Sequence, residues 1–150
     1  MSSKRQSILE YLRTTRLPTI TTGNGYNNTV QTIERGLRFP DDISDPKFPA
    51  IFISRTEETR KNLTRIHFQS ELAVSLVGFV KSTYGNSGAQ IALDGLIEDV
   101  TKCLETDRLL GGLVNWTEIR SIKSDIGDID PHAACGIDVY FIYTTEGVTP

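Results

Sequence analysis

The 150-residue sequence is poor in the side chains that most often carry chemistry. It has only two histidines, two cysteines, one methionine and one tryptophan. Cys103 and Cys135 are far apart and have no histidine or cysteine at metal-ligand spacing, which predicts buried free thiols and no zinc site. Neither His67 nor His132 has a serine or cysteine at the spacing of a nucleophile. The glycine-rich turn at 23–25 lacks the third glycine of a dinucleotide loop and the Lys-Ser/Thr of a P-loop. The sequence therefore shows no enzyme signature.

Long apolar runs are also missing. The longest, residues 73–80, is interrupted by Ser75 and Gly78 and falls short of the roughly 20 residues of a transmembrane helix. The N-terminus leads into an amphipathic stretch without an apolar signal core, so we expect a protein that is not secreted. With 38% hydrophobic and 23% charged residues, the composition is typical of one soluble domain, residues 1–150, that folds without metal or disulfide.

The chain lacks the positive charge of a general nucleic-acid binder, because its formal net charge is −3. The charges are unevenly distributed along the sequence. Residues 1–40 carry six lysines and arginines against two acids, residues 41–93 carry six of each, and residues 94–138 carry four against ten. Opposite patches steer association, so this gradient could guide copies of the chain to pack head to tail. Chance clustering of charges is the alternative explanation.

Hydrophobic periodicity predicts seven regular elements in the order α-β-β-β-α-β-β. The predicted elements are a helix at 3–16, strands at 29–36, 49–54 and 65–80, a helix at 86–106, and strands at 115–125 and 137–143. Strands in runs with inserted helices are typical of an α+β fold. We expect an antiparallel or mixed sheet of about five strands, with the helices packed on one face.

The clearest strand, 65–80, carries apolar residues at even positions from Ile66 to Val80. This period of two predicts that one face of the strand lies in a core. Val77 and Phe79 interrupt the polar pattern of the second face. That end of the second face is therefore expected to be covered as well.

The segment 55–65 is polar throughout and predicts an exposed hairpin arm between two strands. It contains four bases, Arg55, Arg60, Lys61 and Arg65, interleaved with two acids, and it has no aromatic residue on which a base could stack. Contact with a neighbouring protein subunit is the favoured role, because mixed charges set register between proteins. A plain solvated hairpin and contact with DNA phosphates are the alternatives.

Acidic residues are the basis of the one hypothesis in which the protein is an enzyme. Asp94 and Glu98 are four residues apart on the second predicted helix, a spacing that two-metal nucleases use but that a solvated helix face also offers. The loop with Asp125, Asp128 and Asp130 lacks the distant glutamate of a calcium loop and predicts a turn between strands. A small metal-dependent hydrolase built from these groups is the less favoured alternative. The prediction is no catalytic residue, no metal and no cofactor.

Short motifs follow one another in a particular order along nearly the whole chain. They are Gly25-Tyr26, Arg35-Gly36, Pro49-Ala-Ile-Phe-Ile, Val77-Gly-Phe-Val80, Ala92-Leu93, Ile97-Glu-Asp99-Val100, Leu110-Gly111-Gly112 and Ile137-Asp-Val-Tyr140. In this order they resemble the tail terminator, or tail completion, proteins of long-tailed bacteriophages. The motifs are structural, so no catalytic site is transferred with them.

The resemblance implies an α+β subunit that assembles into a homohexameric ring. That ring caps the tail tube, stops tube growth and provides the surface on which the DNA-filled head docks. The implied partners are the tail tube protein, a neck or connector protein of the head and, where the tail has one, a sheath protein. DNA passes through the lumen without specific binding. The implied location is the virion tail or neck, after assembly in the host cytoplasm, with no membrane contact. A head–tail connector or adaptor is the nearest alternative.

Overall fold

The structure, a computed structural model, describes residues 4–39, 42–44, 47–81, 85–124 and 132–146. Within these ranges, two α-helices and five strands follow the predicted order α-β-β-β-α-β-β. They are α1 (Lys4–Tyr11), β1 (Thr32–Arg35), β2 (Ala50–Asn62), β3 (His67–Lys81), α2 (Gly85–Thr106), β4 (Trp116–Ser124) and β5 (His132–Glu146). Neither helix is long and apolar enough to cross a membrane.

The five strands form one mixed sheet in the order β1-β2-β3-β5-β4. β1 runs parallel to β2, and the other three neighbouring pairs are antiparallel. The pairing of β3 with β5 extends over the whole of both strands, from His67 opposite Glu146 to Lys81 opposite His132. The predicted α+β fold with a mixed sheet of about five strands is confirmed.

Both helices pack on one face of the sheet, as predicted. Phe68, at the start of β3, is half-buried and lies outside this core. From Leu72 onward, the even-numbered apolar residues of β3 point into the core beneath the helices, which confirms this part of the period-two pattern. These residues are Leu72, Val74, Leu76 and Val80. The prediction is wrong for Ile66, which lies in the turn before β3 and is 44% exposed.

The opposite face of the sheet is covered at one end. Phe52 of β2 and Phe79 of β3 lie edge to face, with 5.9 Å between their ring centroids. Ile43, from the segment between β1 and β2, completes a small second core with them, and Val77 packs against it. The expectation that this end of the second face is covered is therefore confirmed.

β2 is longer than the sequence predicts. The pattern places its end at Ser54, whereas the strand continues to Asn62. Between Ile53 and Thr56 two residues of β2 lie opposite one residue of β3, which is a β-bulge.

The residues beyond the bulge are polar, although Thr56 and Glu58 lie opposite the buried Val74 and Leu72 of β3. Polar partners meet them there, because Arg5 donates a hydrogen bond to Thr56 Oγ1 and the Tyr143 hydroxyl donates one to Glu58. The predicted arm is thus the end of the β2–β3 hairpin, which closes in a turn at 63–66, and β5 pairs with β3 alongside it.

Three other predicted boundaries differ. The α-helical hydrogen bonds of the first predicted helix, 3–16, end at Tyr11, and a π-helical turn continues to Arg16. β1 has four residues, fewer than the predicted 29–36. β5 has fifteen residues, against the predicted 137–143, because small buried residues precede the large apolar ones and hide the alternation.

α2 lies very close to the sheet. Its apolar stripe is buried as predicted, and the fully buried members are Ala89, Leu93, Leu96, Val100, Cys103 and Leu104. A Cβ atom at Gly78 would lie 2.9 Å from Leu96 Cδ2 and 3.0 Å from Cys135 Sγ. Glycine is required at this position because the helix and β5 leave no room for a side chain. Both cysteines are buried and neither forms a disulfide bond, as the sequence predicts.

Candidate assembly surface

The hairpin formed by β2 and β3 projects its end into solvent. All residues from Thr59 to Ile66 are exposed. The turn is ordered by its own sequence, because the backbone N–H of His67 donates to Thr64 Oγ1 at 3.1 Å, and that of Leu63 donates to the His67 carbonyl at 2.9 Å. Two apolar side chains, Leu63 and Ile66, remain 50% and 44% exposed at the tip. We call residues 59–66 the hairpin arm.

The bases predicted to make contacts lie on different sides of the hairpin arm. Arg60 and Lys61 are neighbours on a strand, so their side chains point to opposite faces of the sheet. The Arg60 guanidinium lies 4.9 Å from the ring centroid of Phe68. Arg65 is exposed in the turn. Arg55 belongs to β2, and its side chain lies outside the described residues. The structure brings Arg60, Lys61 and Arg65 to one end of the molecule without joining them into a single basic patch.

A polar cluster that the sequence analysis missed lies on the face of the sheet opposite the helices. Arg120 of β4 pairs with Glu71 of β3 and, at 3.2 Å, with Glu118. Its guanidinium carbon lies 3.9 Å from the ring centroid of Tyr140. The four residues come from three strands that are far apart in sequence. No local spacing could have revealed the cluster, because only the order of the strands in the sheet brings it together.

Beside this cluster is an open hollow of about 170 Å³. Glu57, Ser75, Asp138 and Tyr140 line it, and Ser75 Oγ donates to Asp138 Oδ1 at 2.9 Å. Two carboxylates without a third ligand are a poor cation site. Among the described residues there is no group of three or more histidine, cysteine, aspartate or glutamate side chains that could hold a metal ion.

The acids of α2 have separate surroundings. Asp94 and Glu98 are exposed on the solvent side of the helix. Asp99 is 1% exposed and accepts hydrogen bonds from the backbone N–H groups of Asn27 and Asn28, at 2.8 and 2.9 Å. It also accepts a bond of 3.0 Å from Asn28 Nδ2. Asp99 therefore holds the loop before β1 against α2. The acidic loop at 125–131, which the hydrolase hypothesis needs, lies outside the described residues.

Asp107, just after α2, holds the end of the first helical segment. It accepts hydrogen bonds from the Tyr11 hydroxyl at 2.8 Å and the Gly111 backbone N–H at 3.1 Å, and its carboxylate lies 3.6 Å from the Arg16 guanidinium. Burial by itself raises the pKa of Asp107, but these donors outweigh it and hold the pKa below the ordinary value. The hydrogen bond from the Tyr11 hydroxyl to Asp107 is the main reason that the pKa of Tyr11 is raised.

These surfaces carry charged and apolar side chains that are suited to contact with another protein. Charges of both signs are paired on the sheet face opposite the helices, and apolar side chains lie exposed at the tip of the hairpin arm. Such surfaces bind other proteins through complementary charge and apolar area. Comparison of the chain with protein-family models and with curated proteins found no match.

Proposed function

We propose that this protein is a tail terminator of long-tailed bacteriophages. Copies of the chain form a homohexameric ring that caps the tail tube, stops tube growth and provides the surface on which the head docks. The proposal includes no catalytic residue, metal or cofactor. The protein assembles in the host cytoplasm and stays in the tail or neck of the virion.

The observation that carries the proposal is the exposed hairpin arm. In the hairpin arm, β2 pairs with β3, and β3 pairs with β5 along its full length. Residues 59–66 are nevertheless exposed to solvent in a single copy of the chain. Leu63 and Ile66 at the tip are flanked by Arg60, Lys61 and Arg65. Apolar side chains framed by charge are typical of a surface that another protein covers. The exposed hairpin arm therefore supports a protein that acts by binding other protein subunits.

In the proposed ring, Arg55, Arg60, Lys61 and Arg65 contact the neighbouring subunit or the end of the tube. Their mixture with Glu57 sets the register of that contact. The modest negative net charge suits a lumen through which DNA passes, because phosphate contacts would retard it. Beyond the tube protein, the partners are a neck or connector protein of the head and a sheath protein where the tail has one.

Electron microscopy of negatively stained particles tests the proposal. The purified protein is imaged alone and with tail tubes assembled from the tube protein encoded by flanking genes. We expect rings at tube ends and shorter tubes when the protein is present during assembly. Tubes of unchanged length with bare ends would contradict the proposal.

Two further measurements on the purified protein distinguish the head–tail connector and the metal-dependent hydrolase from the terminator. Binding to isolated portal complexes without binding to tubes would identify a head–tail connector. A rise in melting temperature on titration with Mg²⁺ or Mn²⁺, together with hydrolytic activity, would identify a metal-dependent hydrolase. The terminator hypothesis predicts neither result.

A further inference from the structure

The sheet has an open edge on each side. β4 is the last strand in the sheet order, so one side of Trp116–Ser124 pairs with β5 and the other side is open in the described structure. At the opposite edge, β1 pairs with β2 only from Ala50 to Ile53. Among the described residues, no strand pairs with the outer side of β2 from 54 to 62. Backbone N–H and C=O groups on such edges bind a strand of another chain.

The open edge of β2 carries two opposite charges. Glu57 and Lys61 are exposed and four residues apart, so both side chains point to the same face of the sheet. That face is the one opposite the helices, since Glu57 lies opposite Ala73 of β3, whose neighbour Val74 points into the core. Within the described ranges, neither Glu57 nor Lys61 takes part in an ion pair.

The open edge of β4 carries the same two charges at the same spacing. Glu118 lies opposite Tyr140 of β5. Lys123 lies opposite Gly136, which is four residues from Tyr140. The β-bulge at Arg120 accommodates the additional residue of β4. Glu118 and Lys123 therefore lie four strand positions apart, on the sheet face opposite the helices.

The charges on β4 are not neutralised inside their own chain. Arg120 pairs with both Glu118 and Glu71, so one guanidinium is shared by two carboxylates and this group keeps a negative charge. Lys123 is exposed, and the part of the chain that the structure describes gives it no ion pair. The open edge of β4 thus offers an acidic and a basic position to a partner strand.

We propose that the open edge of β2 in one copy of this chain pairs with the open edge of β4 in the next copy. The strands run antiparallel, with Lys61 opposite Glu118 and Glu57 opposite Lys123. Charged side chains on a strand edge disfavour indiscriminate pairing. Here they favour one register, because opposite charges that face each other across a strand pair are stabilising and like charges are destabilising.

The direction of the strands fits a ring. Within one copy β2 and β4 run in opposite directions, since three antiparallel pairings lie between them. Rotation about an axis along the strands keeps these directions, so β2 and the next β4 meet as an antiparallel pair with their helices on the same side. The two edges differ, so the contact is heterologous. The inference rests on the proposed ring, names the interface within it and leaves the turn at 63–66 free to contact the tube.

The same register covers apolar surface and pairs small polar side chains. On the helix side it places Ile122, which is 46% exposed in one copy, against the neighbouring β2. Ile119 lies opposite Arg60, whose aliphatic stem covers it. On the other side, Thr59 lies opposite Ser121, midway between the two ion pairs, and hydroxyl pairs of this kind are favourable across strands.

Exchange of the charges along one edge tests the pairing. One variant carries Glu57→Lys and Lys61→Glu, and a second carries Glu118→Lys and Lys123→Glu. Each keeps the net charge of the chain but places like charges at both positions of every contact, so we expect self-association at least about tenfold weaker than in the wild type. The variant with all four substitutions restores opposite charges and is expected to assemble as the wild type does. Sedimentation velocity across protein and NaCl concentrations measures assembly in solution, and counts of capped ends measure it on tail tubes.

A charge exchange outside both edges is the matched control. Glu10 and Arg13 form an ion pair on α1. Glu10→Arg combined with Arg13→Glu keeps the net charge and leaves the two side chains opposite in sign. This variant is expected to assemble as the wild type does.

Cysteine cross-linking tests which edges meet. Thr59→Cys combined with Ser121→Cys places two thiols opposite each other at the centre of the proposed register, within reach of a disulfide between copies. We expect covalent chains longer than dimers on non-reducing gels. Either substitution alone is expected to give no efficient cross-link. A contact between two β2 edges would join copies through Thr59→Cys alone, and a contact between two β4 edges through Ser121→Cys alone.

The outcomes separate the interface from the proposed function. Weaker assembly in each exchange variant, with restoration in the variant that has all four substitutions, supports the pairing of β2 with β4. Wild-type assembly by both exchange variants, no restoration, or efficient dimers from a single cysteine variant overturns the pairing and leaves the ring proposal standing. A wild-type protein that stays monomeric both alone and with tail tubes overturns the ring and the interface together.

Discussion

The buried carboxylate of Asp99 in α2 accepts a 2.8 Å hydrogen bond from the backbone N–H of Asn27, 72 residues earlier in the chain. The contact fixes the loop before β1 against the middle of the helix. It also gives a buried charge the donors that it needs, since two further bonds come from Asn28.

Replacing Asp99 with alanine is expected to lower the free energy of unfolding by roughly 2–3 kcal/mol. Two backbone N–H groups lose a charged acceptor and stay partly buried. Urea denaturation measures the loss. Glu105→Ala on the exposed side of the same helix is the control, with an expected change within about 0.5 kcal/mol. Equal losses of unfolding free energy in the two variants would show that the hydrogen bonds of Asp99 stabilise the protein no more than an exposed carboxylate does.

Gly78 and Gly136 are interior glycines of neighbouring strands with different surroundings. Gly78→Ala is expected to cost about 1–3 kcal/mol, because the new Cβ would lie 2.9 Å from Leu96 Cδ2 and 3.0 Å from Cys135 Sγ. A Cβ at Gly136 meets no atom within 4 Å. Gly136→Ala should leave stability unchanged or raise it by up to about 1 kcal/mol, through the reduced entropy of the unfolded chain. Thermal unfolding of the two variants side by side measures the difference. A stable Gly78→Ala protein would contradict the close approach of α2.

Asp107 should make part of the stability dependent on pH. Its pKa in the folded protein lies below the ordinary value of 3.8, so the unfolded chain takes up the proton first as the pH falls. The stabilisation is complete above the ordinary pKa and is lost as the pH falls through the lower, folded value. The difference in unfolding free energy between the wild type and Asp107→Asn is therefore expected to be constant at neutral pH and to shrink below about pH 4.

Urea titrations of both proteins across this range provide the measurement. Other carboxylates, including Glu10 with its own lowered pKa, contribute equally to both proteins and cancel in the difference. A difference that stays the same down to about pH 3 would exclude a linked role for Asp107.

The double reversal Arg60→Glu/Lys61→Glu tests the hairpin arm. Both side chains are exposed, so we expect the change in unfolding free energy to stay below about 1 kcal/mol. Capping of tail tubes or ring formation is expected to fall at least about tenfold, because the arm would present the wrong charge to its partner. Counts of capped tube ends in electron micrographs measure the effect, with Lys47→Glu as the control. If capping is undiminished, the hairpin arm does not belong to the surface that contacts the tube or the neighbouring subunit.

Much of the fold could be predicted from local pattern. The even-numbered residues of β3 and the stripe from Ala89 to Leu104 in α2 identify a strand and a helix, because each covers a core with one face. The end of β2 could not be predicted in this way. Beyond the bulge after Ile53 the strand is polar throughout, so its pattern is that of a loop. Its side chains there meet partners from distant parts of the chain, such as Arg5 at Thr56 and Tyr143 at Glu58.

The candidate surfaces were predictable only in part. An exposed hairpin arm follows from a polar segment between two apolar strands, and Arg60, Lys61 and Arg65 are indeed exposed there. The cluster of Arg120 with Glu71 was not predictable, because it depends on which strands are neighbours in the sheet.

The order of elements, the buried faces of β3 and α2 and the absence of long apolar runs are set by the local sequence, since they follow from side-chain periodicity along a short stretch of chain. How far the paired strands extend and which charges meet depend on how the strands are arranged in the folded protein. The fold also separates the buried Asp99 from the exposed Glu98 next to it. The physical reason is that hydrogen bonding between strands and the packing of a helix on a sheet join residues far apart in sequence. Burial depends on these distant partners and not on the neighbouring residues in the chain.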